Sequence, residues 1–278
     1  KSALIGVGGQ LGIFVAMVGA VLLGYFFPGL FPFTLKEAAA VGIIGSSDGP
    51  TAIYLTSRLA PDLLPTIAIA AYSYMALVPI IQPFAIRLVT TKKERMIRMP
   101  YNPRSVSKRS KILFPIIVTV VAGYVAPASV SLVGMLMFGN LIRECTVLDT
   151  LSTAAQTVLV NLVTLLLGIT IASTMKADAF VTVQTVMIMA LGLLAFVFDT
   201  IAGVVFAKIL NLFVKQKVNP MVGAAGISAF PMSARVIQRM GQQADPQNHL
   251  LMHAVGANVA GQIASVIAGG VILGLVPG

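Results

Sequence analysis

An acidic residue inside an apolar stretch is the first place where this sequence could do chemistry. Asp48 lies in the run GSSDGPT that begins at Gly45, between the apolar ends of a segment from Phe33 to Ala60. Ser47 and the other hydroxyl residues of the run offer oxygen atoms, and a glycine- and proline-broken backbone adds free carbonyls. One carboxylate among neutral oxygens suits a hard monovalent cation such as Na⁺. The alternative is that Asp48 only caps a helix at an interfacial turn.

A second broken stretch offers matching groups. Between Asn219 and Met232 the chain is interrupted by glycines and by Pro231. Asn219 and Ser228 would supply oxygens to the same cation, and Gly223 is one of the residues that break the backbone there. The residue equivalent to Asp48 is Ala229, so only the first stretch carries the charge.

Three further polar residues are candidates for the same site. Tyr74 falls near the middle of the span Leu63 to Val89, where a hydroxyl needs a partner, so it either donates a proton or makes a structural hydrogen bond. Tyr72 is a weaker candidate of the same kind. Asn258, among small residues of the last span, is either a cation ligand or an interhelical hydrogen bond. Arg235 either meets an anionic substrate or extends its charge to the interface.

The composition places these residues in a membrane. Hydrophobic residues make up 57% of the 278 residues, charged residues only 10%, and the mean hydropathy is +0.93. A soluble domain carries about 25% charged residues. Lipid is therefore the expected solvent, and we expect the chain to cross a membrane several times.

The net charge of +10 does not indicate nucleic-acid binding. Eight of the nineteen basic residues fall between Lys92 and Lys111, between two apolar runs. Such clustering is typical of a cytoplasmic loop of a membrane protein.

The chain contains an internal repeat. Val41–Pro65 and Val222–Pro246 share seven identities in 25 positions at a shift of 181. The shared residues are mostly Gly, Ser and Pro, and coincidence in a chain rich in these residues is the alternative. The basic loops lie on opposite ends of the two copies, which predicts inverted topology. Paired broken segments in inverted halves are typical of a transporter binding site.

The sequence thus predicts an all-α polytopic membrane protein with inverted repeats. Two broken, re-entrant helices are expected to meet near the midplane of the bilayer. We expect a single membrane domain over residues 1–278, with repeat 1 at about 35–89, a cytoplasmic basic loop at 90–111, connecting spans at 112–213 and repeat 2 at about 219–276.

Several long motifs resemble one family. The stretches from Gly42 to Thr51, Ala70 to Pro79, Gly139 to Cys145, Asn219 to Arg235 and His253 to Ser265 are similar to the beta subunits of sodium-pumping biotin-dependent decarboxylases. The resemblance covers nearly the whole chain. Members of that family are longer at the N-terminus, so we expect further spans to precede residue 1.

The resemblance implies an activity and partners. It implies decarboxylation of carboxybiotin, carried by a biotin-carrier and carboxyltransferase alpha subunit, coupled to Na⁺ export and proton consumption. A small membrane gamma or delta subunit is implied as well. The family's functional residues match, in this sequence, Asp48, Tyr74, Asn219, Gly223, Ser228, Arg235 and Asn258. Ser46-Ser47 departs modestly from the family's loop and adds a hydroxyl before the aspartate.

Two other functions remain open at this point. A Na⁺- or H⁺-coupled secondary transporter with the same inverted repeats would take up a solute without decarboxylation. A non-catalytic membrane scaffold would show no effect of cations on its thermal stability.

Overall fold

The computed structural model describes residues 2–29, 33–100, 106–174 and 182–276. All regular secondary structure in these residues is helical, which confirms the all-α prediction. Five of the described helices are long and apolar enough to cross a membrane, which confirms a polytopic protein. They are Leu4–Phe26, Pro61–Val89, Asp149–Ser173, Val183–Phe213 and Leu251–Leu275.

The chain folds as two compact units. The first contains residues 1–101 and 183–265, and it holds both broken segments. The second contains residues 102–182 and 266–277. The last helix therefore contributes its first part to one unit and its end to the other.

The N-terminal half of the first unit consists of six helices with short irregular joints. The α-helices are α1 (Ser2–Gly8), α2 (Leu11–Phe26), α3 (Leu35–Gly42), α4 (Gly49–Leu59), α5 (Leu64–Val89) and α6 (Lys92–Arg95). A 3₁₀ turn at Ile43–Ser46 joins α3 to α4, and another at Pro61–Leu63 precedes α5.

Local sequence explains where these helices start. Thr34 forms a capping box with Glu37 at the start of α3, satisfying two N–H groups that the first turn leaves free. Pro50 lies at the start of α4, where its missing N–H costs nothing. Asp48 is the N-cap of the same helix.

The first apolar span, Leu4–Phe26, contains a break near its start. A turn at Gly9 and Gln10 separates α1 from α2, and nothing in the sequence had indicated it. Gln10 donates through Nε2 to the carbonyl of Gly226 at 2.8 Å and to that of Gly261 at 3.3 Å. A buried amide thus satisfies carbonyls that would otherwise lack partners in an apolar core.

The C-terminal half of the first unit contains the second broken segment. Its elements are α11 (Val183–Phe213), a 3₁₀ helix at Pro220–Gly226, α12 (Met232–Ala244) and α13 (Leu251–Leu275), of which residues up to Ser265 belong to this unit. Gln82 of α5 donates to the carbonyl of Ala224 at 2.8 Å and to Ser233 Oγ at 2.7 Å. These bonds fix the backbone where the 3₁₀ helix leaves helical geometry.

The second unit is built from α7 (Lys108–Val125), α8 (Val130–Cys145), α9 (Asp149–Ala154) and α10 (Val160–Thr174), together with the end of α13. Helices α7 and α8 are antiparallel, because Lys111 near the start of α7 pairs with Glu144 near the end of α8 at 3.3 Å. The stretch around Pro127 therefore joins two antiparallel helices through a 3₁₀ turn at Pro127–Ser129. A π turn at Ala155–Leu159 joins α9 to α10, so the apolar span Asp149–Ser173 is continuous.

Candidate functional site: a cation site between two broken helices

The first break places a carboxylate at the start of a helix. Ser47 adopts a left-handed backbone with φ of 53°, a conformation that side chains rarely take. The chain direction therefore changes there, and Asp48 Oδ1 accepts a hydrogen bond from the N–H of Thr51 at 3.2 Å. Asp48 is thus the N-cap of α4, as the alternative interpretation of the sequence expected.

Asp48 also contacts the other half of the unit. Ser228 Oγ, in the second break, donates to Asp48 Oδ2 at 3.1 Å, and Ser265 Oγ of α13 donates to the same oxygen at 2.6 Å. The N–H of Ser228 donates to the carbonyl of Ser46 at 2.9 Å. The two breaks thus meet through backbone and side-chain bonds, and the structure brings together two of the predicted site residues, Asp48 and Ser228.

Other oxygen atoms beside the breaks are buried and lack partners among the described residues. Ser47 Oγ is one and Asn258 Oδ1 is another. The Nδ2 of Asn258 donates to the carbonyl of Ile227 at 2.6 Å, which sets the amide against the second break. A carboxylate, three hydroxyls and an amide oxygen fit a hard cation, because the hydroxyls can donate to Asp48 and still offer lone pairs.

The two tyrosines of α5 point to different neighbours. The ring of Tyr72 lies beside the first break: a methyl group added at Gly49 would be 2.9 Å from it. Tyr74 lies on another face of α5, where its hydroxyl donates to the carbonyl of Met189 in α11. The structure therefore places Tyr72, the weaker candidate from sequence, next to Asp48.

Asn219 is placed at the opposite end of the 3₁₀ helix from Ser228. Its Nδ2 donates to the carbonyls of Arg95 at 2.9 Å and Ile97 at 2.8 Å, and its Oδ1 accepts from the N–H of Met221 at 3.1 Å. Asn248 Nδ2 donates to the same two carbonyls. Asn219 thus holds the basic segment at the end of α6 to the second broken segment, and Asn248 holds the same segment to the loop between α12 and α13.

A salt bridge reinforces these contacts. Arg98 Nε lies 2.5 Å from Asp245 Oδ2, at the end of α12. The hydrogen bond from Arg98 holds the pKa of the Asp245 carboxyl below its ordinary value. The ionised pair therefore ties the basic segment to α12 at neutral pH.

Gly223 is a point of close backbone approach. A methyl group added there would lie 2.0 Å from the carbonyl oxygen of Gly203 in α11, and one added at Gly203 would lie 2.2 Å from the carbonyl oxygen of Gly223. Only glycine at both positions allows this contact. The structure gives Gly223 a packing role at the back of the second broken segment.

Arg235 lines a pocket between α5 and α12. The pocket has a volume of about 450 Å³ and is lined by Arg87, Arg235, Arg239 and Gln243, with Pro79, Pro83, Met232, Val236 and Met240. None of the three arginines forms an ion pair within the described residues. Guanidinium groups without ion pairs among the described residues, set beside apolar walls, have the chemistry that an anionic ligand with an apolar body requires.

Comparison with known proteins identifies the family. Residues 1–276 match the Na⁺-transporting oxaloacetate decarboxylase beta subunit family. The chain belongs to this family.

Individual relatives differ in the acid that their names state. The chain is 52% identical, over 98% of its length, to the oxaloacetate decarboxylase beta chain of Klebsiella pneumoniae, of which it covers 62%. It is 51% identical over 99% of its length to the methylmalonyl-CoA decarboxylase subunit beta of Propionigenium modestum, of which it covers 68%. It is 50% identical over its full length to the glutaconyl-CoA decarboxylase subunit beta of Acidaminococcus fermentans, of which it covers 72%.

The chain spans less than two thirds of the oxaloacetate decarboxylase beta chains that it matches. Those relatives are named as beta chains, so each is one subunit of a larger enzyme. With its five apolar helices, this member of the beta subunit family is a multi-pass protein of the bacterial inner membrane.

Three buried polar residues of this beta subunit family member were missed from sequence. Ser265 follows Asn258 by seven residues, two helical turns, so the same helix face should have suggested it. Gln82 follows Tyr74 by eight residues on α5, which also repeats a face. Asp199 is an ionisable residue inside an apolar span, and such a residue is by default a candidate for function.

Proposed function

We propose that the chain is the membrane subunit of a sodium-translocating decarboxylase, in which decarboxylation of carboxybiotin drives Na⁺ export and consumes a proton. The observation that carries the proposal is the meeting of the two breaks at Asp48. A carboxylate that accepts hydrogen bonds from serines of the other half of the unit offers a cation site to which both halves contribute. Membership of the beta subunit family supplies the reaction.

Sodium is the transported substrate in this proposal. Asp48 neutralises its charge, and Ser47, Ser228 and Asn258 supply the neutral oxygens, with Ser265 as a further ligand. Moving one elementary charge against 100 mV costs about 2.3 kcal/mol, so export needs a driving reaction. The protein's part is to bind Na⁺ from one side and release it to the other.

Asn219 and Gly223, which the sequence predicted as ligands, act in this proposal by positioning the backbone of the second broken segment. Asn219 fixes one end of the 3₁₀ helix to the carbonyls of the basic segment. Gly223 lets that helix lie against α11. Both thereby set the position of Ser228, and a movement of the basic segment would reach the sodium site through them.

Alternating access follows from the contacts that hold Asp48. The bonds from Ser228 and Ser265 join the first break to the other half of the unit. Rocking of the two inverted halves would break these bonds and open Asp48 to one side. Na⁺ and a proton would bind the same carboxylate oxygens, so we propose that they are mutually exclusive at Asp48.

The three-arginine pocket is proposed to receive the carboxybiotin that a partner subunit carries. The residues fit the group, because Arg235 and its neighbours offer guanidinium donors to a carboxylate and the prolines offer apolar surface. Carboxybiotin supplies the carboxyl group that leaves as CO₂. Arg235 binds and orients the carboxylate, while Tyr74, buried on α5, is assigned a part in proton delivery.

The proposed partners are an alpha subunit that combines carboxyltransferase and biotin carrier, and a small membrane gamma or delta subunit. The test uses the purified full-length complex with free carboxybiotin, with and without Na⁺. We expect CO₂ release that rises with Na⁺ and is lost in Asp48→Asn. Asp149→Asn, an exposed aspartate at the start of α9, is the matched control. Na⁺-dependent release that survives Asp48→Asn would contradict the proposal.

A further inference from the structure

A second buried carboxylate lies beside the first break. Asp199, on α11, is 0% exposed. Nothing in the proposed sodium site uses it. A fully buried ionisable group in an apolar helix is costly to keep, which makes it a candidate for function.

One oxygen of this carboxylate is bound to a helix start. Asp199 Oδ1 accepts a hydrogen bond from the N–H of Gly12. Gly12 lies in the first turn of α2, which follows the break at Gly9 and Gln10. The first-turn N–H groups and the helix dipole stabilise an anion at this place.

The other oxygen has no partner. Asp199 Oδ2 is buried without a hydrogen bond among the described residues. It faces the first break, since a methyl group added at Gly45 would be 3.0 Å from it. No described basic side chain forms an ion pair with Asp199. A buried charge without an ion pair favours neutralisation, and Oδ2 is the atom free to take the proton.

Few titratable side chains lie on the elements packed against α11. The segments α1, Ile43–Ser46 and Pro220–Gly226 contain none. Those on the other neighbouring helices are Tyr25 on α2, Lys36 and Glu37 in the first turn of α3, and Tyr72, Tyr74 and Arg87 on α5. Neither of the two basic side chains among them forms an ion pair with Asp199. Tyr74 bonds Met189, which lies ten residues and therefore about 15 Å along the helix from Asp199.

We propose that Asp199 is a proton-binding site of the transport core, which takes up the proton that decarboxylation consumes. The proposal rests on the proposed function. The carboxylate binds one proton at Oδ2 to become the neutral acid and later releases it. Carboxybiotin and one proton then give biotin and CO₂, so the step balances. Protonation also makes the Asp199 carboxyl a weaker hydrogen-bond acceptor for the start of α2. Asp199 lies against the 3₁₀ turn that leads to Asp48, so proton binding at Asp199 would affect the sodium site through the contact at Gly45.

The experiment uses the full complex in proteoliposomes, with Asp199→Asn and the exposed control Asp149→Asn. We expect Asp199→Asn to bind ²²Na⁺ with unchanged stoichiometry, whereas its proton uptake and turnover fall by roughly 10²-fold, the scale of a lost proton-transfer group. The control Asp149→Asn should match wild type in bound ²²Na⁺, proton uptake and turnover. Full proton uptake by Asp199→Asn, or loss of one bound Na⁺, would overturn the proposal.

A second measurement does not depend on the folding of Asp199→Asn. Infrared difference spectra of the Asp48→Asn complex should still contain a carboxylic acid band that responds to pH. The absence of such a band would overturn the assignment of Asp199. The two hypotheses fail differently, because CO₂ release by the wild-type complex that ignores Na⁺ would refute the proposed function itself.

Discussion

Ser265 Oγ lies 2.6 Å from Asp48 Oδ2, and the bond joins the last helix to the first break across 217 residues of sequence. The same hydroxyl lies 3.2 Å from Ser228 Oγ. Ser265 therefore completes a triangle of oxygen contacts with Asp48 and Ser228, and each half of the unit contributes to the proposed cation site.

Ser265→Ala should weaken sodium binding without abolishing it. The change removes a ligand oxygen and a donor to a charged group, a bond worth about 1.5–3 kcal/mol. We expect the Na⁺ concentration for half-maximal decarboxylation to rise roughly 10- to 100-fold. Ser57→Ala, which removes an exposed serine bonded only to the carbonyl of Tyr54, is the control. An unchanged Na⁺ dependence in Ser265→Ala would exclude Ser265 from the site.

Tyr72→Phe and Tyr74→Phe should have different effects. Tyr72 lies beside the loop of Asp48, so loss of its hydroxyl should change the half-saturating Na⁺ concentration and leave the maximal rate intact. Tyr74 bonds α11, so loss of its hydroxyl should lower the maximal rate at saturating Na⁺. Steady-state rates over a Na⁺ series measure both, with Tyr124→Phe, which is 89% exposed, as control. Identical effects of the two variants would argue against separate roles.

Gly223→Ala should destabilise the fold. The added methyl would meet the backbone of Gly203, which cannot move aside as a side chain can. Overpacking of this kind costs about 1–3 kcal/mol, and backbone contact places the variant at the upper end. Gly139→Ala on α8, with nothing within 4 Å of the new methyl, should instead stabilise. Thermal unfolding in detergent compares them, and equal melting temperatures would contradict the close approach.

The salt bridge of Arg98 should give the fold an acid-sensitive contribution. Because the folded-state pKa of Asp245 is lowered, chiefly by the hydrogen bond from Arg98, the pair stabilises above the ordinary pKa of an aspartate. That contribution is lost as pH falls through the lowered pKa. Asp245→Asn should therefore melt below wild type at neutral pH and approach it in acid. Asp62→Asn, an exposed aspartate, should follow wild type at every pH, and a constant gap for Asp245→Asn would refute the prediction.

The pocket arginines should act on substrate binding. Arg239→Gln removes one of the three guanidinium groups of the pocket, and a charge-assisted bond to a carboxylate is worth about 1.5–3 kcal/mol. We expect the KM for free carboxybiotin to rise roughly tenfold or more with the Na⁺ dependence unchanged. Arg58→Gln changes the equivalent arginine of the other repeat copy, which lies over Tyr54 instead, and should leave KM unaltered. A rise of KM in both variants would mean that the overall positive charge, and not the pocket, determines substrate binding.

Sequence alone predicted the parts of the site that depend on local backbone. Glycine and proline predicted both breaks, and the repeat predicted that Ser228 would match Ser47. The contact of Ser228 with Asp48 confirms that the two breaks meet. Their re-entrant course and the inverted orientation of the repeats stay predictions.

Long-range packing decided the rest. Tyr72 and Tyr74 are two residues apart and so lie on different faces of one helix, and only the position of α11 decides which face meets which neighbour. Asn219 has an amide oxygen that could bind a cation, yet its Nδ2 donates hydrogen bonds to the carbonyls of Arg95 and Ile97 in the basic segment. The break between α1 and α2 depends on Asp199 and Gly226, which are far away in sequence and could not be paired with Gly9 or Gly12 in advance.

The bond between Ser265 and Asp48 also means that Asp48 is synthesised long before one of its hydrogen-bond partners. A ribosome adds about 5–20 residues per second, so the 217 residues between them take roughly 10 to 40 s to synthesise. For most of that interval neither serine partner of Asp48 has been made, because Ser228 follows Asp48 by 180 residues and Ser265 comes later still. Until the last helix is made, the Asp48 carboxylate must therefore be bound by water or by the insertion machinery. A stalled or truncated chain would expose this acidic group, without its serine partners, to quality-control proteases.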